Sequence, residues 1–155
     1  MDHGLVVLET DENGRELLTE AGEFAAGTGA ELDVLLLISS EEHAEKQEAL
    51  DAAGREEHTS FDAGAVLDRV KQDAADVAEE VFEAADVDAD WSAIGARVGD
   101  DESEADRILA VAERTDADHL FVPGRRRSPT GKVVFGDRTQ SILLNFDGPV
   151  TTQLE

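Results

Sequence analysis

The segment from Pro123 to Ser141 reads PGRRRSPTGKVVFGDRTQS and holds glycines at 124, 131 and 136 with five of the chain's thirteen basic residues. Glycine lets a backbone N–H approach a phosphate closely, and arginine presents a fork of donors that matches phosphate oxygens. A helix that starts at the end of such a loop adds N-terminal N–H groups and a dipole that favour an anion. Phosphate binding is the chemistry these residue types suit. Two phosphate motifs are excluded by spacing. Six residues separate Gly124 from Gly131, and Val133 follows Lys132 where a Walker loop needs a magnesium-holding hydroxyl. The first turn contains only Gly14, so the G-x-G-x-x-G fingerprint of a dinucleotide site is absent.

Asp137 cuts across this pattern. A carboxylate at a helix start would repel a bound phosphate by ~1 kcal/mol or more. Asp137 and Gln140 also spell D-x-x-Q, close to a capping box, which makes Asp137 an N-cap that already fills the anion site. Arg125, Arg126, Arg127 and Arg138 carry two readings as well, as phosphate donors or as partners for an acidic surface. Other chemistry is thin. His3, His43, His58 and His119 lack mutual ligand spacing, and there is no cysteine for a thiolate site or nucleophile. Ser39, Ser40, Ser60 and Ser128 have no triad context, and acids are too abundant to single out a catalytic pair. Trp91 reads as an edge-strand packing residue rather than a stacking platform.

The remainder of the chain is acidic. Asp and Glu number 37 against 13 Lys and Arg, giving a net charge of -24, while residues 124–138 alone carry five bases and one acid. Lysine is scarce beside arginine. Self-repulsion on this scale lowers stability in dilute salt and keeps a protein in solution, which implies a cytoplasm rich in salt. Such a surface repels nucleic acid and anionic lipid, so neither is expected as a partner. The N-terminus MDHGLVVLET has no basic region, and no apolar run approaches the ~20 residues of a membrane span. A cytoplasmic location is expected.

The elements that must position the loop follow from hydrophobic period. LVVLET (5–10), LDVLLLIS (32–39), WSAIGARVG (91–99), HLFVP (119–123) and GPVTTQ (148–153) read as strands. Leu17, Leu18, Ala21, Phe24 and Ala25 make one helix face, closed by Gly27 or Gly29. A polar helix within 40–54 precedes a stronger one, whose stripe is Val66, Leu67, Val70, Ala74, Val77, Ala78, Val81 and Phe82. Asp101 with Glu104 suggests a capping box for a helix burying Ala105, Ile108, Leu109 and Ala112, and residues 137–147 form the last helix. Strands alternating with helices imply one α/β domain over 1–155, an open parallel sheet with helices on both faces.

From LVVLET to GPVTTQ the chain resembles the universal stress protein A family, and its loop is similar to the variant associated with halophilic archaea. The resemblance implies a Rossmann-like fold of the adenine nucleotide alpha hydrolase type, a five-stranded parallel sheet in order 3-2-1-4-5. It implies ATP or AMP as ligand, held by a loop over 124–139 of pattern G-x2-G-x9-G-[ST]. Gly124 and Gly136 match the outer glycines, one residue short in spacing. Arg127 replaces the second glycine, Gly131 stands nearby, and Asp137, followed by Arg138, replaces the hydroxyl residue. Thr10 falls at the first-strand aspartate of the family, and Leu37 at the second-strand position that meets adenine. The departures imply a degenerate nucleotide loop in a regulatory rather than catalytic stress-response module that acts on a protein partner. The alternatives are a working ATP-dependent switch and a weak ATPase. The last strand carries no charge over 149–153, which marks it as an open edge. A homodimer is expected there through Val150, Thr151 and Thr152, with Ile142, Leu143 and Phe146 as its apolar part.

The charge excess generates a first prediction. Raising salt from 0.1 M to 1 M shortens the Debye length from ~10 Å to ~3 Å. The melting temperature should climb steeply over that range. A flat response in differential scanning fluorimetry would contradict an electrostatically strained surface.

Overall fold

Along the first strand, Leu5 and Val7 contribute to one apolar cluster and Val6 and Leu8 to another, and all four are buried. A strand buried on both faces belongs inside a sheet with helices on either side. The computed structural model, which describes residues 1–57, 64–124 and 136–154, has that arrangement. Its elements are β1 (His3–Val7), α1 (Glu12–Thr28), β2 (Glu31–Ile38), α2 (Ser40–Glu57), α3 (Gly64–Ala85), β3 (Asp90–Arg97), α4 (Glu104–Arg114), β4 (His119–Pro123), α5 (Asp137–Asn145) and β5 (Val150–Gln153). All pairings are parallel, and the strand order is β3-β2-β1-β4-β5, as expected.

The two faces divide the helices. Leu17, Leu18, Ala21 and Ala25 of α1 pack with Ala74, Ala78, Val81 and Phe82 of α3 over Val6, Val34 and Phe121. Ile108, Val111 and Ala112 of α4 pack with Ile142 of α5 over Leu5, Val7, Leu120 and Val122. Trp91 meets the edge of Phe82 with ring centroids 5.8 Å apart, a packing role on the edge strand β3. The polar helix α2 reaches the core mainly through Leu50, which packs beside Ile38, Val66 and Val70. Among the described residues no helix is long and apolar enough to cross a membrane.

Several boundaries differ from the sequence expectation. β1 begins at His3 and stops at Val7, because Asp11 leaves the strand path to cap α1, its carboxylate accepting from the Gly14 N–H at 2.8 Å. Gly29, at φ 69°, closes α1. The N-cap of α4 is Ser103, whose hydroxyl accepts from the Asp106 N–H at 3.0 Å, so Asp101 with Glu104 is not the capping pair. Ile142, expected at a dimer contact, is fully buried in the core, whereas Leu144 is 76% exposed.

His119 is a core residue. Its ring stacks on Phe121 with centroids 4.3 Å apart, meets the edge of Phe24, and bonds the Thr151 hydroxyl through Nε2 at 2.8 Å. Burial pushes its imidazole below the ordinary histidine range. Its neighbour Asp118 accepts from the Asp2 and His3 N–H groups, which hold its carboxyl below the usual range and tie the N-terminus to the start of β4. Among the described residues no group of three His, Asp or Glu is placed to hold a metal ion.

Strand β5 closes the sheet against Gly124. The Gly124 N–H donates to the Gln153 carbonyl at 2.9 Å. A Cβ at position 124 would stand 2.5 Å from Thr152 Oγ1 and 2.6 Å from Leu154 Cδ2. Any larger residue here must displace the Thr152 and Leu154 side chains, a packing reason for glycine that is independent of phosphate. Gly124→Ala should lower stability by about 1–3 kcal/mol, in the manner of an overpacked core. A variant with unchanged melting temperature would show that the end of β5 can yield, leaving ligand approach as the reason for the glycine.

Candidate functional site

In an open parallel sheet, ligands bind beyond the carboxyl ends of the strands where the strand order reverses, here between β1 and β4. The segments after β1 and β4 and the N-termini of α4 and α5 meet at that edge. Each is fixed locally. Asp11 caps α1, and Gly14 sits so close to the Glu9 carbonyl that a Cβ there would overlap it. Arg15 Nε donates to the Thr10 carbonyl at 3.2 Å. Glu9 and Thr10 are thereby held at the rim of the sheet. On the far side, Glu102 accepts from the Gly99 N–H at 3.1 Å and from Arg107 Nε at 2.8 Å, and these donors hold its carboxyl below the usual range. With Ser103 capping α4, Glu104 emerges as that helix's first residue.

Two adjoining chambers result. The first, about 400 Å³, is lined by Val7, Leu8, Thr10, Asp11, Leu36 and Leu37. The second, about 310 Å³, is lined by Pro123, Gly124, Gly136 and Thr139. Glu9, Glu104 and Arg138 line both. The sequence-derived site residues Thr10 and Leu37 thus belong to one chamber, Gly124 and Gly136 to the other, and Arg138 to the wall between. Arg127 and Gly131, with Arg125, Arg126 and Lys132, lie outside the described residues.

Asp137 does not have the expected role. The N-cap of α5 is Gly136, with no side-chain capping bond, and Asp137 is the helix's first residue. It is exposed and lines neither chamber. The N-cap of α5 therefore leaves its N–H groups without a capping side chain, which suits an anion, while the Asp137 carboxylate in the first turn still opposes one.

The carboxylates that count are two the sequence reading missed. Arg138 donates through Nη2 to Glu9 at 2.7 Å and to the Pro123 carbonyl at 3.3 Å, and through Nη1 to Glu104 at 3.0 Å. One guanidinium ties the segment after β1, the end of β4 and the start of α4. From the sequence Glu104 reads as a helix-capping residue, and Glu9 stands beside Thr10 without a local signature. Their positions, just past a strand end and at a helix start along the reversal edge, are the signal that singles them out.

Comparison with known proteins places this geometry. The model of the "Universal stress protein family" matches residues 1–152. No curated protein sequence matches the chain. A universal stress protein from Archaeoglobus fulgidus is similar in structure, with a TM-score of 0.63, 20% identity and coverage of 99% of this chain and 98% of that one. The universal stress protein UspA from Lactobacillus plantarum has a TM-score of 0.64 at 16% identity, covering 98% and 97%. A further Archaeoglobus fulgidus universal stress protein, solved in complex with dAMP, has a TM-score of 0.61 at 14% identity, covering 99% and 97%. At these identities the likeness to the solved structures is one of fold. The family match spans nearly the whole chain, and the protein belongs to the universal stress protein family.

Proposed function

We propose that this chain is a regulatory stress-response module whose cleft takes an adenine nucleotide weakly, its occupancy read by a protein partner. The observation that carries the proposal is the two-chambered cleft at the reversal of strand order. One chamber combines aliphatic side chains with Thr10, and the other is closed by the helix N-terminus at Gly136. A nucleoside suits the first and its phosphate the second. The family relative solved with dAMP supports the same ligand class. Regulation rather than turnover is favoured because the described carboxylates are already engaged: Asp11 accepts from Gly14, and Glu9 and Glu104 from Arg138.

Calorimetry with ATP and AMP in molar salt tests this proposal, together with analysis of small molecules released on denaturation. The expected result is a Kd above about 0.1 mM and no stoichiometric nucleotide carried through purification. Submicromolar binding of ATP would favour the working switch instead. Release of phosphate from ATP at more than the buffer rate would favour the ATPase.

We also propose that the module is a homodimer joined through β5. That strand is the sheet edge, is short and carries no charge. The Pro149 and Gln153 carbonyls accept from Leu120 and Gly124 on the β4 side. By the two-residue period, the backbone groups of Val150 and Thr152 then face outward. Leu143 and Leu144 supply exposed apolar surface on the neighbouring α5. Thr152→Pro removes an outward N–H and leaves the pairing to β4, so light scattering should report monomer. A wild-type protein that is monomeric at micromolar concentration would sink the dimer.

A further inference from the structure

The residues common to both chambers are Glu9, Glu104 and Arg138, so the clasp they form stands between the two. Arg138 commits donors on both terminal nitrogens to these carboxylates and a further contact to the Pro123 carbonyl. A phosphate recognised by arginine needs that same fork, two parallel N–H groups aimed at two oxygens. A ligand that reaches from the first chamber into the second must therefore take Arg138 away from at least one glutamate. The freed carboxylate then stays on the wall and repels the phosphate that replaced it.

We infer that Glu9 and Glu104 form, with Arg138, a latch that determines how far a ligand extends into the cleft, and so discriminate against the phosphate of a nucleotide in favour of the nucleoside. This rests on the proposal that the cleft takes an adenine compound. The latch is able to open. The side chains of Arg138, Glu9 and Glu104 are 23%, 41% and 55% exposed, and ion pairs with that much solvent contact are weak. It is also a tie across three segments, so its opening loosens Glu9 and the α4 start together. Glu104 lies on a well-anchored helix start, whereas Glu9 lies between a strand and a cap.

The test compares adenosine with AMP by calorimetry in molar KCl, on the wild type, on Glu9→Gln with Glu104→Gln, and on Arg138→Gln. Glutamine keeps a hydrogen-bond acceptor for Arg138 and removes the charge. The readout is the ratio of AMP affinity to adenosine affinity, which a general loosening of the cleft would not raise. The ratio should rise about tenfold in the double variant, the scale of one lost charge repulsion near a phosphate. In Arg138→Gln, where both carboxylates lose their partner and keep their charge, the ratio should fall below the wild-type value. If adenosine binds and the ratio stays at the wild-type value, the latch is overturned while the adenine cleft stands. If AMP and adenosine affinities change together, the carboxylates act on the whole cleft and the latch is again overturned. If neither compound binds any variant, the adenine cleft itself is wrong and the latch falls with it.

Discussion

In a parallel sheet ordered β3-β2-β1-β4-β5, the chain builds outward from β1 to one side and must then cross back to build on the other. The connections after β1 and β4 run in opposite directions, and the crevice between their carboxyl ends is left uncovered. Backbone and sheet geometry alone create that opening. The side chains around it are there because β1 ends at Val7, β4 ends at Pro123, and α4 and α5 begin beside them. Local devices then decide which groups look inward: the Asp11 cap, the Glu102 contacts to Gly99 and Arg107, and the side-chain-free cap at Gly136.

The arginine at this opening does two jobs that compete. As a structural tie it joins segments separated by 129 and 34 positions in sequence, through Glu9 and Glu104. As a ligand donor it would give up those ties. Lysine would not serve the first purpose equally, because a single ammonium lacks the planar fork that reaches both carboxylates and a carbonyl at once. In a chain with so large an acid excess, an inward arginine meets carboxylates from neighbouring loops before it meets any ligand.

How much of this was legible in the sequence depended on range. Nearly continuous apolar runs in β1, β2 and β4 and the stripe of α3 announce themselves, because burial of both sheet faces and of one helix face leaves a period in the chain. The strand order rested on resemblance, and the structure has it. Capping residues were misplaced by one or two positions, Ser103 for Asp101 and Gly136 for Asp137. Several polar residues near each helix start can cap at a cost differing by only about 1 kcal/mol. Ile142, expected at a dimer contact, is core instead through helix phase, since one or two positions along a helix turn a side chain from core to solvent. Glu9 and Glu104 were illegible. Pairings with Arg138 across 129 and 34 residues have no local signature, and among 37 acids these two look like any others.

Motif glycines are ambiguous evidence for a ligand in such a fold. A Cβ at Gly124 would crowd the Thr152 and Leu154 side chains, and one at Gly14 would overlap the Glu9 carbonyl, whether or not phosphate is ever bound. A nucleotide-binding chain and a non-binding chain with these neighbours would share both constraints. The divergence between them belongs instead to side chains that can change without disturbing the sheet. Glu9 and Glu104 are partly or largely exposed. An acid at either position engages the one arginine of the described cleft wall and leaves the fold intact. A carboxylate on a neighbouring segment can therefore occupy that arginine without any change in the sheet that positions it.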